Sequence, residues 1–417
     1  MPQKGLKKDD GVRGRREKVS LKVFPFFPDH KSTFIGNRAK KKERLSIMKI
    51  ILAPDKFKGT LTAAQVTEIE KKAILSVIPE AEILCVPLAD GGDGTVQALT
   101  TALGGKFETC DVRGPLGKNV TAQFGLASDC AILEMATASG MVLLSAEERN
   151  PMKTSTYGTG ELIRKALESG VKEIVIGIGG SATVDGGAGM AEALGYEFFD
   201  KTGSKMSGLC GGNLVEIGKI SCEKVHPALK KCKFRIASDV TNPLLGENGS
   251  VAVFAPQKGA TPEMMPLLEN GLANLRNVLY QQGMISDDVP GDGAAGGLGL
   301  GLRAFCAAVP ESGAKLAIKL TRLEEKLSGA DLVITGEGCS DAQTENGKLC
   351  SELALFCKAH GVPCYLLSGK ITENPGDLFA GFLATVPVEM PFEEIKPRSA
   401  ELLYDAAVKF AGKIMNN

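Results

Sequence analysis

One segment, residues 172–195, constrains the fold of this chain more than any other. It begins with the β-branched run 173–176, which predicts a short buried strand, and continues through a stretch dominated by Gly, Ser, Thr and Asp. Residues 190–194 then predict a helix. A strand that leads through glycines into a helix directs unpaired N–H groups and the positive end of the helix dipole at one place. The segment therefore predicts an anion-binding site after a buried strand.

Side chains in the same segment add to this predicted site. Hydroxyl donors and one carboxylate stand among the glycines, and the carboxylate is suited to hold a metal ion or to accept a proton. The predicted anion-binding residues are Gly179, Gly180, Ser181 and Thr183, with Asp185 as the carboxylate. An ordinary glycine-lined turn is the alternative interpretation, but five glycines combined with Ser, Thr and Asp exceed what a tight turn requires.

The segment also contains a formal dinucleotide-binding motif. Gly177, Gly179 and Ala182 fit the G-x-G-x-x-G/A fingerprint, and Asp200 follows the next apolar run, near the position expected for a ribose-binding acid. However, four further residues separate Ala182 from any helix, and that helix is only about two turns long, which is short for a βαβ crossover. An NAD-dependent oxidoreductase acting on a small hydroxy acid therefore remains the alternative function.

Charge is distributed unevenly along the 417 residues. Residues 1–47 contain 14 Lys+Arg and 5 Asp+Glu, a net +9, whereas the other 370 contain 35 and 44, a net −9. The acidic main part of the chain argues against nucleic-acid binding. The basic leader, residues 1–47, lacks the apolar core of a secretory signal, and Met48 directly precedes the first convincing strand. We therefore expect translation to begin at Met48 and the leader to be disordered or absent from the native protein.

Cysteine usage and hydropathy indicate the cellular compartment. The eleven cysteines form no C-x-x-C pair and no secretory signal is visible, so we expect reduced thiols in the cytoplasm. Cys350, Cys357 and Cys364 recur every seven residues, which favours a buried helix stripe over a metal site. The three histidines lie far apart, which argues against a histidine-based zinc site. No apolar run approaches 18 residues, so no membrane span is predicted.

Beyond this segment the chain alternates predicted strands with predicted helices, which is typical of an α/β protein. Residues 107–145 instead predict a β-rich insert with a turn at 114–117. The glycine-rich run 290–297 follows no strand, so we expect a role in backbone packing or as a loop hinge, with a substrate loop as the alternative. Further strands are predicted at 49–53, 83–86, 234–237, 251–255, 331–335, 363–367 and 383–386, and further helices at 62–77, 161–168 and from about 399.

Acidic residues stand at the ends of several predicted strands, and basic residues accompany them. The acids are Asp55, Asp90 with Asp93, Asp185, Asp239, and Glu337 with Asp341, and the bases are Lys58, Arg149, Lys258 and Lys348. Phosphoryl transfer needs cations for phosphate oxygens, carboxylates for Mg²⁺ and a proton acceptor, and α/β proteins hold ligands at the carboxyl ends of their strands. This inventory favours a phosphotransferase, although neither a G-x-x-x-x-G-K-[ST] motif nor a protein-kinase motif occurs.

Eight signatures connect the chain from Met48 onward with a known family. They are APDKFKGTLTA, PLADGGDGT, RNPMKTSTYGTGEL, IGIGGSATVDGGAGM, SDVTNPLLG, FAPQKGAT, PGDGAAGGLGLG and VITGEGCSDAQTENGK. On these motifs the chain resembles the type-1 glycerate kinase family over nearly its whole length. The resemblance implies D-glycerate and ATP as partners, Mg²⁺ as cofactor, and 2-phosphoglycerate favoured over 3-phosphoglycerate as product. It leaves open whether the chain forms a homo-oligomer.

The same resemblance implies an α/β fold of two domains. A flavodoxin-like domain with a parallel sheet, residues 48–110 plus 290–417, is expected to be interrupted by a second α/β domain with a mixed sheet, residues 111–289. The active site is expected in the cleft between the two domains.

Predicted roles for individual residues follow from the inventory and the resemblance together. Asp185 is the predicted proton acceptor, and Lys58 is predicted to stabilise the transferring phosphoryl group with the N–H groups of 179–181. The residues predicted to bind D-glycerate are Arg149, Thr154, Ser155, Thr156 and Asp55. Those predicted to bind the ATP phosphates are Gly179, Gly180, Ser181, Thr183, Lys258, Glu337 and Lys348. The predicted Mg²⁺ ligands are Asp239 and Asp93. The chain departs from the family where Lys56 replaces a common serine and Cys339 a common arginine.

Overall fold

Two β-sheets, one parallel and one mixed, organise the protein. The structure is a computed structural model that describes residues 47–340, 349–386 and 390–416. The strands are β1 (Lys49–Leu52), β2 (Glu82–Cys85), β3 (Lys106–Arg113), β4 (Asn119–Ala127), β5 (Cys130–Glu134), β6 (Glu173–Gly177), β7 (Glu197–Asp200), β8 (Lys205–Met206), β9 (Ile217–Ser221), β10 (Lys233–Ala237), β11 (Val309–Glu311), β12 (Leu332–Thr335), β13 (Cys339–Ser340), β14 (Cys364–Ser368), β15 (Lys370–Ile371) and β16 (Gly381–Ala384).

The α-helices connect these strands and cover the sheets. They are α1 (Ala63–Val77), α2 (Thr95–Ala102), α3 (Ala136–Ser139), α4 (Tyr157–Glu168), α5 (Ala188–Ala193), α6 (Ser250–Phe254), α7 (Met264–Gln281), α8 (Ala294–Cys306), α9 (Gly313–Leu320), α10 (Leu323–Leu327), α11 (Leu349–Ala359) and α12 (Phe392–Asn416). None of the helices in the described ranges is long and apolar enough to cross a membrane.

The parallel sheet has the strand order of a flavodoxin-like fold. Its five strands lie in the order β16-β14-β12-β1-β2, and every neighbouring pair is parallel. Numbered along the chain, this is the order 2-1-3-4-5 read from the other edge. Side chains alternate between the two faces: Ile51 and Val333 face one core, while Ile50 and Ile334 face another together with Phe410 of α12. Both faces are therefore covered, as parallel sheets require.

The mixed sheet combines an antiparallel meander with parallel strands. Its order is β11-β10-β6-β5-β4-β3; the pairs β3–β4 and β4–β5 are antiparallel, and the other three pairs are parallel. The α/β fold with one flavodoxin-like parallel sheet and one mixed sheet is thus confirmed. Residues between 106 and 311 supply the strands of the mixed sheet, and the domain boundaries given above stay a prediction.

Most local predictions are confirmed, with two corrections. Thr62 caps α1 as expected, and Gln65 completes a capping box with it. The predicted strand 251–255 is wrong: these residues lie in helix α6, because a short apolar run after a glycine fits either structure and only packing decides. Cys364 lies on β14 rather than on a helix, although all three cysteines of the predicted stripe are buried. The leader up to residue 46 and Lys348 lie outside the described residues.

Helix α1 buries an ionisable group in its apolar stripe. Glu70 is fully buried and neither carboxylate oxygen has a hydrogen-bond partner within the described part of the chain. Burial raises the pKa of Glu70 well above its usual range. The folded state therefore holds a proton that the unfolded state releases, and stability decreases as the pH rises from the unfolded pKa toward the folded one.

We expect Glu70→Gln to remove this pH dependence. Between pH 5 and pH 8 the free energy of unfolding of the wild type should fall relative to that of the variant, by about 1.4 kcal/mol for each unit by which the pKa is raised. Urea unfolding at several pH values measures the difference. Glu68→Gln, at an exposed position of the same helix, is the matched control and should leave the pH dependence unchanged; equal behaviour of the two variants would contradict the prediction.

Candidate functional site

The carboxyl ends of strands from both sheets meet at the loop after β2, residues 86–94. The N–H of Gly179 donates to the carbonyl oxygen of Gly91 at 3.5 Å. A Cβ on Gly91 would lie 2.2 Å from the carbonyl oxygen of Ala237, and one on Gly177 would lie 2.5 Å from that of Gly91. Gly91 also has φ +91°, a conformation that favours glycine. The loop therefore packs backbone against backbone on the ends of β6 and β10.

The side of the site formed by the parallel sheet holds two carboxylates around one cation. The Lys56 ammonium nitrogen is 3.9 Å from an oxygen of Asp55 and 3.9 Å from an oxygen of Asp90. Asp55 Oδ1 also accepts the backbone N–H of Lys56 at 2.7 Å. Burial raises the pKa of Asp55 to about 7; the charge of Lys56 opposes the rise, and the charges of Asp90 and Glu337 add to it.

The loop after β12 lies against the loop after β1. The Oε1 atom of Glu337 accepts the Ser340 hydroxyl at 2.9 Å, and a Cβ on Gly338 would lie 3.0 Å from the backbone nitrogen of Lys58. Asp55 follows β1 directly, so it stands between these two loops. Because the strand order reverses between β1 and β12, this is the crevice where open α/β sheets bind ligands.

Two further carboxylates stand at helix N-termini in the same region. Asp239, after β10, accepts the Gly313 N–H at the start of α9 at 3.1 Å. Burial raises the pKa of Asp239, and the charge of Asp90 raises it further. Glu134, at the end of β5, accepts the Val96 N–H of α2 at 2.6 Å, and burial raises its pKa as well. Both helices therefore begin at carboxylates supplied by the mixed sheet.

A buried lysine from elsewhere in the chain contacts the predicted anion loop, residues 177–187. Lys258 is 2% exposed, and its ammonium donates to the Ser181 hydroxyl at 3.1 Å and to the Thr183 carbonyl at 2.7 Å. Burial lowers the pKa of Lys258 to about 7, while the nearby Asp185 opposes this shift. Ser181 in turn donates to the Ala295 carbonyl at 3.1 Å. Lys258 thus holds Ser181 and Thr183 of the loop together through hydrogen bonds.

Asp185 is completely enclosed. Its side chain is 0% exposed and accepts hydrogen bonds from the Thr156 N–H at 2.7 Å, the Thr156 hydroxyl at 2.8 Å, the Gly187 N–H at 3.2 Å and the Gly189 N–H at 3.3 Å. Burial raises its pKa, and these four hydrogen bonds oppose the rise. The carboxylate joins α4 to α5 and is closed off from solvent.

The other residues predicted to hold D-glycerate differ in whether their polar atoms already have hydrogen-bond partners within the protein. The Thr154 hydroxyl donates to the Ala182 carbonyl at 2.8 Å and the Ser155 hydroxyl to the Leu209 carbonyl at 2.6 Å, so both hydroxyls are used within the protein. Arg149 instead has a buried Nε atom without a hydrogen-bond partner in the described ranges. An unpaired buried guanidinium nitrogen is costly, and it marks a place for an anion or a water molecule.

The residues present suit Mg²⁺ only as a sparse, water-rich site. The described residues contain no group of three or more His, Cys, Asp or Glu side chains that could hold a metal ion. Mg²⁺ nevertheless needs only one or two protein carboxylates, because waters and substrate phosphates complete its coordination. Asp239 fits this requirement, since it is a partly buried carboxylate beside the second acid, Asp90. Asp93, the other predicted ligand, is exposed and lies near Gly180 instead.

The structure therefore gathers part of the predicted inventory and separates the rest. It places Asp55 and Asp239 near Asp90 of the loop 86–94, Glu337 near Asp55, and Lys58 beside the Glu337 loop. Asp185, Thr154, Ser155, Thr156 and Lys258 instead form a buried network behind the anion loop. The sequence marks Asp90 only as one of the strand-end acids, and it assigns no role to Lys56 or Glu134. Lys56 stands beside the assigned Asp55, whereas no motif marks Glu134. The formal dinucleotide motif ends at Ala182, and the next helix, α5, begins only at Ala188.

Comparison with known proteins finds relatives over most of the chain. Residues 50–415 match the model of the glycerate kinase family. A glycerate kinase from Halalkalibacterium halodurans is 42% identical over 370 residues, which cover 87% of this chain and 97% of that one. Glycerate 2-kinase from Escherichia coli is 44% identical over 332 residues, covering 79% and 87% respectively. A crystal structure from Salmonella typhimurium LT2, provisionally named glycerate kinase 2, superposes with a TM-score of 0.82 at 39% identity, covering 89% of this chain and 99% of that one.

The fold and these relatives first define a class, which is an α/β kinase whose sheets meet at their carboxyl ends. The predicted phosphotransferase class is thereby confirmed. Within that class, the chain belongs to the glycerate kinase family. The resemblance noted in the sequence motifs is confirmed as well.

We expect Gly91→Ala to disturb the site through a steric clash. Its Cβ would lie 2.2 Å from a backbone oxygen, so the contact between the loop 86–94 and β10 must open. Gly117→Ala is the control, because Gly117 has a similar φ of +82° with no atom within 4 Å of its Cβ. Both variants should lose about 1–2 kcal/mol from the left-handed conformation. Only Gly91→Ala should lower kcat by more than about tenfold, and equal kcat values would contradict the role of the contact.

Proposed function

We propose that this protein phosphorylates D-glycerate with ATP as phosphoryl donor, in the cleft where the ends of the two sheets meet. The single observation that carries the proposal is the packing of the loop 86–94 on β6 and β10. In support, the charge of Asp90, in this loop, raises the pKa of both Asp55 and Asp239, and the charge of Glu337 adds to the rise at Asp55, so acids that follow three separate strands lie near one loop. The names of the relatives supply the substrate class, and 2-phosphoglycerate is the favoured product.

The basic residues at the cleft neutralise the anions. Lys58 is exposed at the loop after β1, next to the Glu337 loop, and it supplies positive charge to a phosphoryl group. The Gly179 N–H already donates to Gly91, so the N–H groups of Gly180 and Ser181 supply the further donors from the mixed sheet. We assign the carboxylate of D-glycerate to Arg149, whose Nε has no hydrogen-bond partner among the described residues. The predicted contribution of Lys348 stands unchanged and lies outside the described residues.

Asp239 would hold Mg²⁺. When bound, the ion neutralises charge on the β- and γ-phosphate oxygens. Asp239 is itself held by the N–H of Gly313, so the carboxylate is fixed relative to α9 before any ligand arrives. Fixed geometry of this kind reduces the cost of aligning the reactants.

The buried network serves to shape the anion loop. Thr154, Ser155 and Thr156 use their hydroxyls internally, and Asp185 accepts four hydrogen bonds and is closed off from solvent. Lys258 fastens Ser181 and Thr183 in the same way. We assign these five residues to positioning rather than to contact with substrate. The N–H groups of Gly180 and Ser181 then meet the phosphates as a rigid surface.

The activity is tested with ATP and a panel of small hydroxy acids. We expect ATP consumption with D-glycerate, and phosphorus NMR should identify 2-phosphoglycerate. L-Glycerate and lactate are the controls, since they differ in configuration or lack one hydroxyl group. Failure to consume ATP with any acid, together with NADH binding, would favour the oxidoreductase alternative instead.

Asp239→Asn tests the metal assignment. We expect the Mg²⁺ concentration for half-maximal rate to rise at least about tenfold, because the variant loses the charge that binds the ion. Asp129→Asn is the control; Asp129 pairs with Lys172 at the opposite, amino end of β6. The KM for D-glycerate should change little in both variants. An unchanged Mg²⁺ requirement in folded Asp239→Asn would contradict the assignment.

A further inference from the structure

The acceptor for the proton released in this reaction needs access to the substrate, which Asp185 does not have. Its side chain is 0% exposed and its oxygens already accept four hydrogen bonds. A general base must lie within hydrogen-bond reach of the proton it takes. We infer that Asp55 is the proton acceptor, at the crevice between β1 and β12. This inference rests on the proposed function.

Asp55 lines a cavity that suits a small hydroxy acid. The cavity has a volume of about 320 Å³, and its polar lining residues are Asp55, Lys56, Thr60, Thr62, Asp93 and Gln97. The Asp55 side chain is 15% exposed. Its Oδ1 is held by the Lys56 N–H, while Oδ2 has no hydrogen-bond partner among the residues that the structure describes. The carboxylate is therefore oriented by one oxygen and available through the other.

The surroundings of Asp55 raise its pKa into the range that suits a general base near neutral pH. A base works best when its pKa lies near the operating pH, and burial raises the pKa of Asp55 to about 7. Three charged groups face it: Lys56 from its own loop, Asp90 from the loop after β2 and Glu337 from the loop after β12. Asp93, the other carboxylate of the cavity, is exposed and belongs to the loop before α2.

The step balances without any further reactant. The hydroxyl oxygen of D-glycerate forms a bond to the γ-phosphorus, and the bond from that phosphorus to the β,γ-bridging oxygen breaks. The electron pair leaves with ADP. The hydroxyl proton passes to Oδ2 of Asp55, which later releases it to water. Lys58, three residues along the same loop, is the proposed source of positive charge for the phosphoryl group.

Substitution of Asp55 is the first arm of the test. Asp55→Asn should lower kcat at least about 100-fold, with the KM for ATP changed less than about threefold. Asp93→Asn is the matched control within the same cavity. Because Asp93 is also a predicted Mg²⁺ ligand, this variant is expected to lose activity as well, so the pH profile and not the size of the loss decides between the two acids. Melting temperatures, expected within about 5 °C of wild type, show that the variants are folded.

The pH profile is the second arm, and a merely structural role would not reproduce it. In the wild type, kcat/KM should rise with pH through a limb near 7, where Asp55 loses its proton. Lys56→Met removes a positive charge and should move this limb to higher pH. Glu337→Gln removes a negative charge and should move it to lower pH. Asp93→Asn should leave the limb in place.

The outcomes separate this inference from the proposed function. A wild-type protein that transfers no phosphate to any hydroxy acid would overturn the proposed function and the assignment of Asp55 with it. A wild-type protein that is active, with Asp55→Asn nearly as active or with a limb that ignores both Lys56→Met and Glu337→Gln, would overturn Asp55 alone. Folded Asp185→Asn that loses activity 100-fold and abolishes the limb would return the role to Asp185.

Discussion

Direct backbone contact at Gly91 is the constraint on which the geometry of the site depends. Gly91 meets Ala237 of β10 and Gly177 of β6, so one loop of the parallel sheet touches two strand ends of the mixed sheet. A Cβ at this position would lie 2.2 Å from the Ala237 carbonyl oxygen, so the two sheets would have to move apart. Such a shift matters because reacting atoms must be held about 3–3.5 Å apart. Glycine is therefore required at these positions because it allows the two sheets to approach closely. At Gly91 it is also required because φ is positive.

Burial divides the acids of this region into two kinds. Asp185 is compensated by four donors, which makes it a rigid joint between α4 and α5. Asp55 is nearly as buried but accepts one backbone N–H and has a cation at 3.9 Å, so its desolvation is only partly compensated. The same chemical group thus serves structure where hydrogen bonds are complete, and binds a proton near neutral pH where they are not.

The sequence allowed the fold to be predicted further than the site. Buried β-branched runs and their polar ends marked β1, β6, β10 and β12, because strand formation and glycine chemistry are local properties. Enclosure is not local: Asp185 is buried because Thr156 arrives from a helix 29 residues earlier in the chain. The helix α6 was missed for a related reason, since only its packing distinguishes it from a strand.

Left-handed backbone on α8 completes the enclosure of the anion loop. Residues 295–297 have φ of 55°, 75° and 86°, and Ala295 is the non-glycine member, which is a costly conformation. The turn brings the Ala295 carbonyl to Ser181 and the Gly296 carbonyl to the N–H of Gly186 at 3.0 Å. The run 290–297 therefore has the packing role expected of it, because its strain is offset by hydrogen bonds that close the loop from behind.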